Sequence, residues 1–304
     1  MLSFVAAGIS SDNLHNLLFT AVIYFCLKSW QRLNWQNLLG LAVVTALGFI
    51  NKPQFLIALG IVVPVLIWSA LKQRQLKLTG LFTVVLIILA AVFGGDYFVG
   101  LWSGIRQGQI PYFETKTNLV RPDYSLWQHT IYTAQHTFRE VLPWYWGVFR
   151  WLSLTLPRWV NQVMMRILLV VGVGLIIKLW RRKFEPGFWI IVWSALIYFL
   201  ALFFWDWQQV RNSGFPFGIQ GRYYFPVIVP HLVLLVIGIK ALWTKLLLPL
   251  NLWFIVLNWI ALYWVTASYY DTSNFQTFII QAIQYKPDFA KGFWLVVVLG
   301  IYAF

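Results

Sequence analysis

The sequence predicts an all-α protein, a polytopic transmembrane helical bundle of about eight to nine spans with one large extracytoplasmic loop. Hydrophobic residues make up 60% of the chain and charged residues 11%, too little polar material to coat a soluble globule. Several apolar runs reach the roughly 18–20 residues that cross a bilayer as a helix. A β-barrel is excluded because barrel strands alternate polar and apolar residues, whereas 85–92 and 168–177 are apolar throughout.

The whole chain, 1–304, is predicted to be a single integral membrane domain. The predicted spans are 12–30, 37–51, 54–71, 79–100, 159–180, 186–205, 223–243 and 249–270, with a last one that starts near Gly292. The first two are short or have polar ends. Residues 2–9 are apolar but too short to span, and the chain stops inside an apolar run. We therefore expect a fragment of a longer protein.

The net charge of +14 follows the predicted topology. Basic residues gather in alternate short connections, near residues 28–32, 72–77, 178–183 and 240–245. Under the positive-inside rule these connections are cytoplasmic, and 101–157, 206–222 and 271–291 lie outside. Such a distribution indicates contact with membrane lipid and excludes nucleic acid as a partner.

The outer loop 101–157 contains a predicted amphipathic helix over 125–142. Ser125 is its expected N-cap and Pro143 its expected stop. One face carries apolar residues at helical spacing, so we expect this face to lie on the membrane interface: Trp127, Ile131, Ala134, Phe138 and Val141. The aromatic-rich 143–151 follows, as in a girdle at head-group depth.

No metal site and no cofactor are predicted. Cys26 is the only cysteine, and His129 and His136 lie about 10 Å apart along one helix, too far to share an ion. The zinc-protease, P-loop and nucleophile-elbow motifs are absent from the sequence.

The first polar cluster lies at the outer end of the first span, where Asp12, Asn13 and His15 follow two serines. One interpretation is a helix cap made by Ser11 or Asp12. The other is that Asp12 offers a carboxylate to an extracytoplasmic cavity and that His15 orients it. Such a carboxylate could bind a cation, order a sugar hydroxyl or act as a base, so Asp12 is the candidate catalytic residue.

The second polar position is Lys52 in a tight outer turn before Pro53. It either extends its amine to the head groups or serves as a point-charge partner for phosphate.

The third cluster comprises Arg211, Gln220, Arg222 and Tyr223, in a connection rich in glycine and proline. Two arginines that flank an irregular segment can converge on one anion. The alternative is an arginine that reaches the head groups beside an aromatic belt. That alternative does not explain Gln220 or the paired glycines, so we favour an anion site.

Four segments in this order resemble a bacterial family of polytopic membrane proteins, domain of unknown function 2142: AGISSDNLHNLL, GFINKPQF, PWYWGVFRWLSLTLP and FGIQGRYYFP. Gly221-Arg222-Tyr223 with Pro226 is the most specific match. Ser10 stands where the family has Asn, and Arg150 where it has the second Gly of a Trp-Gly motif.

That family is similar in turn to the GT-C class of glycosyltransferases. The resemblance implies a GT-C-like fold in the bacterial inner (plasma) membrane and a polyprenyl-phosphate sugar as the donor. It also implies cell-surface glycan synthesis, with Arg222, Arg211 and Lys52 holding the lipid phosphate. The family normally begins with another span and an acidic outer loop that supplies the base. Nothing like that loop occurs here, so activity stays open and Asp12 becomes a cavity residue. The alternative is a non-catalytic transporter or assembly component for envelope polysaccharide.

Overall fold

The computed structural model is helical almost throughout the residues it describes. These are 11–75, 82–92, 125–149, 154–182, 187–214, 219–269, 271–272, 274–284 and several isolated positions, namely 77, 80, 95, 184, 287–288, 291, 293–294, 297 and 300–301. The prediction of an all-α protein is confirmed for this part of the chain. The predicted span near Gly292 falls largely outside the described residues, and residues 101–124 of the predicted loop fall wholly outside them.

The α-helices follow the predicted order along the chain. They are α1 (Ser11–Gln31), α2 (Trp35–Asn51), α3 (Leu59–Gln73), α4 (Phe82–Val92), α5 (Leu126–His136), α6 (Leu142–Trp146), α7 (Arg158–Arg181), α8 (Phe188–Ser213), α9 (Ile228–Leu242), α10 (Leu247–Tyr269) and α11 (Phe275–Gln284). Tighter 3-10 turns occupy Pro53–Ala58, Gly221–Val227 and Thr244–Leu246, and a π turn occupies Thr137–Val141. Two short antiparallel strands, β1 (Val148–Phe149) and β2 (Leu154–Thr155), form a hairpin.

Five helices are long and apolar enough to cross a membrane: Pro53–Gln73, Arg158–Arg181, Phe188–Arg211, Gly221–Leu242 and Thr244–Tyr269. In three of them a 3-10 turn continues directly into the α-helix. Helices α2 and α4 are apolar but shorter, and α1 carries several polar residues. The described part of the chain is therefore that of an integral membrane protein with five clear candidate spans.

The chain forms two compact units, and the larger comprises Ser3–Tyr145 and Lys178–Leu235. In it α1 packs against α2 and α3 around Phe19, Val22 and Phe55, which are fully buried. The Gln73 side chain donates to the carbonyls of Ser29 and Trp30 and accepts the Leu33 N–H at 2.6 Å. It thus satisfies backbone groups that the end of α1 leaves unpaired.

The smaller unit comprises residues 1–2, 146–177 and 236–304. Here Trp264 Nε1 donates to the Thr155 carbonyl at 2.9 Å, which fixes the hairpin to α10. The connection 271–291 was predicted only as an outer loop, but it contains α11. Phe275 and Phe278 lie three residues apart on one face of α11 and pack against Tyr263, at ring distances of 5.6 and 5.1 Å.

Close backbone approach joins α7 and α9 within the smaller unit. A Cβ added at Gly174 would collide with the Gly238 carbonyl, whereas one at Gly172 would meet open space. Small residues let helices approach in this way in a membrane, where packing replaces the hydrophobic effect as the cause of association.

We predict that Gly174→Ala lowers the stability of the protein by about 1–3 kcal/mol, because the added methyl group forces α7 and α9 apart. The measurement is the free energy of unfolding by SDS titration in mixed micelles. Gly172→Ala is the matched control on the same helix and should be neutral or slightly stabilising. Equal effects of the two substitutions would contradict the proposed packing role of Gly174.

Candidate functional site

Asp12 and Lys52 form an ion pair at the start of α1. Asp12 lies in the first turn of the helix, where the helix dipole favours a negative charge. Lys52 lies between α2 and the Pro53 turn in an extended conformation, as expected of a residue before proline. Both side chains are about a quarter exposed. This pairing, over 40 residues of sequence, was not among the predicted roles of Lys52.

The prediction that His15 orients Asp12 is wrong. His15 is 3% exposed, and neither of its ring nitrogens has a hydrogen-bond partner among the described residues. Its ring packs edge-on against Phe55 at 5.4 Å and obliquely against Phe19 at 5.9 Å. The imidazole is thus part of an aromatic cluster beneath the ion pair.

Aromatic rings continue from this cluster to the Gly221–Val227 turn. Phe19 meets Tyr198 of α8 at 5.0 Å, and Tyr198 meets Tyr224 at 6.5 Å. Tyr198 lies within electrostatic range of Asp12, and Tyr224 within range of Asp206. Each of the two tyrosines is thus near one carboxylate, and the two carboxylates are far apart in sequence.

Gly221 is required by the close approach of two backbones. A Cβ at this position would collide with the backbone of Trp144 and Tyr145, so only glycine fits. From the sequence, Gly221 is only one of the paired glycines of an irregular connection. In the structure it brings the predicted anion segment into contact with the aromatic segment that follows α5.

Tyr145 also ties these segments together. Its hydroxyl forms a hydrogen bond of 3.0 Å with Nδ1 of His231. Burial raises the pKa of Tyr145 above its usual value, so the hydroxyl keeps its proton.

Helix α5 begins at Ser125 as predicted, with a complete capping box between Ser125 and Gln128. Trp127, Ile131 and Phe138 of the predicted apolar face are exposed, in agreement with a face that meets the membrane interface, whereas Val141 of the same predicted face is buried. The opposite face, for which no burial was predicted, is polar and buried: His129, Thr133, His136 and Thr137. In a membrane, apolar side chains meet lipid and polar ones turn inward.

Pro143 does not end this segment. After His136 the chain makes a π turn over Thr137–Val141, in which the Leu142 N–H bonds the Thr137 carbonyl, and continues as α6. Pro143 has no N–H to donate, and the wider turn before it lets the helical path continue.

The polar face of α5 meets a buried carboxylate of α8. Asp206 is 1% exposed, and its Oδ2 lies 2.8 Å from Nδ1 of His136. Nε2 of His136 lies 3.4 Å from Oε2 of Glu140, whose side chain is half exposed. The other oxygen of Asp206 has no hydrogen-bond partner among the described residues. A carboxylate, an imidazole and a second carboxylate thus lead from the interior to the surface.

Asp206 was predicted to begin a loop, but α8 continues to Ser213. Arg211 therefore lies on the last turn of a helix, exposed, with its guanidinium 5.7 Å from the Trp207 ring. Arg222 is half-buried in the 3-10 turn, with its guanidinium 5.7 Å from the Tyr223 ring. Gln220 precedes that turn, and its carbonyl accepts the Tyr223 N–H at 2.9 Å. Asn13 is half-buried beside Asp12.

Sequence reasoning missed the roles of Asp206, His136 and Tyr145. A signal for Asp206 was present, since it interrupts the apolar run FFWDW and an ionisable residue at the end of a span indicates a functional site. His136 was considered only as a metal ligand. Within the described part of the chain, no group of three His, Cys, Asp or Glu side chains could hold a metal ion.

Comparisons with known proteins leave the family open. No protein-family model, no curated protein and no solved structure matches this chain.

We predict a measurable coupling between Asp12 and Lys52. A double-mutant cycle of Asp12→Asn and Lys52→Met should give about 0.5–1 kcal/mol, since the pair is only partly buried, and the coupling should fall as salt is added. The measurement is again the free energy of unfolding in mixed micelles.

The pair Lys291–Asp288, 2.8 Å apart with Asp288 almost fully exposed, is the matched control and should show a weaker coupling. A coupling at Asp12–Lys52 no larger than that of the control would contradict a structural role for the ion pair.

Proposed function

We propose that this protein is a membrane glycosyltransferase-like protein that transfers a sugar from a polyprenyl-phosphate donor on the extracytoplasmic face. The observation that carries the proposal is the packing of the Gly221–Val227 turn, which holds Arg222, against α1. Helix α1 begins at the Asp12–Lys52 pair. Two basic residues and a carboxylate, from three separate predicted motifs, thus belong to one packed unit.

Transfer from a lipid phosphate needs cations to stabilise the departing phosphate. Arg222 offers a planar fork that suits phosphate oxygens, and Lys52 offers a point charge. Arg211, exposed at the end of α8, adds positive charge for a head group. A lipid-borne ligand is compatible with the candidate spans, which expose many large hydrophobic side chains.

The ion pair suggests how donor binding prepares the acceptor site. A phosphate that binds Lys52 competes with Asp12 for the ammonium group. The released Asp12 carboxylate is then available to order a sugar hydroxyl. Until a phosphate arrives, the two charges neutralise each other at modest cost.

The charge distribution supports the extracytoplasmic assignment, because the connections rich in lysine and arginine lie at the opposite ends of the spans. In a bacterium this corresponds to the outer face of the inner membrane, where lipid-linked sugars serve the synthesis of cell-surface glycans. Membrane lipid and the lipid-linked sugar are the proposed partners.

We predict that Arg222→Ala weakens binding of farnesyl phosphate, a short-tailed probe, by about 10- to 100-fold, because one charge-assisted contact with phosphate is lost. Binding is measured by titration of the full chain in nanodiscs. Farnesol, which has the tail but no phosphate, should bind weakly to both proteins.

Arg139→Ala is the matched control, since Arg139 is an exposed arginine outside the proposed site. It should leave binding unchanged. Equal affinity of wild type and Arg222→Ala for farnesyl phosphate would rule out the proposed phosphate site. Phosphate-dependent binding without release of farnesyl phosphate from any farnesyl-phosphate hexose would favour a non-catalytic transporter or assembly component.

A further inference from the structure

Sugar transfer also needs a group that takes the proton of the acceptor hydroxyl. Asp12 is already engaged by Lys52 in an ion pair, and under the proposed function it orders a sugar hydroxyl. The larger unit contains another ionisable group oriented by a buried carboxylate. That group is the imidazole of His136.

We propose, on the basis of the proposed function above, that His136 is the general base of the transfer and that Asp206 positions it. The Asp206 carboxylate accepts a hydrogen bond from Nδ1 of His136 at 2.8 Å. This bond holds the proton on Nδ1 and leaves Nε2 as the acceptor. The arrangement of a base held by a third group is typical of activated catalytic pairs.

A purely structural role does not account for this pair. Burying two ionisable side chains costs more than packing apolar residues of similar size in the same place. Ionisable residues inside membrane segments are correspondingly rare and generally functional. The π turn that follows His136 is also a feature that occurs often at functional sites.

The pair is oriented so that a proton can leave. Asp206 lies on the buried side of the imidazole, and Glu140 on the other side has 53% of its side chain exposed. Nε2 is therefore one side chain away from the surface. A proton accepted at Nε2 can pass to the Glu140 carboxylate and then to solvent.

The transfer step balances with these groups. The acceptor oxygen forms a bond to C1 of the sugar while its O–H bond breaks and the proton goes to Nε2. The bond between C1 and the phosphate oxygen breaks, and the phosphate leaves with the electron pair. Arg222 stabilises the charge that develops on it.

One segment connects the base to the phosphate site. The Trp144 ring packs edge-on against His136 at 6.4 Å, and the Trp144 backbone lies directly against Gly221. Gly221 is the residue before Arg222. The base and the phosphate-binding arginine are thus held by adjoining parts of the same packed unit.

Asp206 and Glu140 face the imidazole of His136 from different segments, Asp206 from α8 and Glu140 from the same segment as His136. Asp206→Asn keeps the shape of the side chain but removes the carboxylate that accepts the Nδ1 proton. If Asp206 positions the base, this substitution should lower kcat and leave KM for the acceptor nearly unchanged.

The test measures release of farnesyl phosphate from a panel of farnesyl-phosphate hexoses, with octyl hexosides as acceptors and the full chain in nanodiscs. His136→Gln should lower turnover by about 10²- to 10⁴-fold and leave farnesyl phosphate binding unchanged. The matched control is His129→Gln, since His129 is a second buried histidine on the same face of α5. It should keep turnover within about threefold.

The following outcomes would contradict the proposal that His136 is the general base and Asp206 its positioning residue. Turnover that persists in His136→Gln excludes His136 as the base. Asp206→Asn that leaves kcat unchanged, or that raises only KM, excludes a positioning role for Asp206. Equal losses in His136→Gln and His129→Gln, together with lost binding, indicate a structural role. Absence of turnover in the wild-type protein would also contradict the role of His136 as a general base. Binding of farnesyl phosphate and its dependence on Arg222 test the proposed function separately from all of these.

Discussion

A carboxylate that is 1% exposed must find a partner inside the protein, because an unpaired charge removed from water costs several kcal/mol. Asp206 finds this partner in His136, and three features of the larger unit accompany the contact. Helix α8 continues through Asp206 to Ser213 where the sequence had suggested a loop. Helix α5 turns its polar face inward. The segment after it is thereby brought against Gly221, which connects the buried pair to the turn that carries Arg222.

The positions of the helices follow from the sequence, since a bilayer imposes a minimum apolar length that is visible in any window of about 20 residues. The apolar stripe of α5 follows as well, since Trp127, Ile131 and Phe138 are exposed where lipid can accept them. The contacts of the opposite, polar face do not follow from the sequence. They depend on Asp206 of α8, which lies 70 residues from His136 along the chain. The cap at Ser125 was therefore predictable from local residues, and the buried polar face was not.

The charged residues of the candidate site were predicted from the sequence, but most contacts between them were not. Asp12, Lys52 and Arg222 were each singled out because charge is costly near hydrocarbon. Their partners were not identified, because contacts across 40 or 70 residues depend on how helices pack, which no local pattern encodes. Gly221 shows the same limit. Its presence indicated an unusual backbone, but its cause is the neighbouring chain at Trp144 and Tyr145.

Pairing of charges before a ligand binds also explains how an apolar protein can hold a polar site. An isolated lysine or aspartate near the membrane would be costly, whereas the Asp12–Lys52 pair is partly solvated and nearly neutral. Under the proposed function, an arriving phosphate replaces Asp12 as the partner of Lys52, so the lysine keeps a counter-charge throughout. The His136–Asp206 pair is more deeply buried, and within the described part of the chain its imidazole also contacts the half-exposed Glu140. In the proposed reaction this contact carries a proton outward, whereas the Asp12–Lys52 pair exchanges one anion for another.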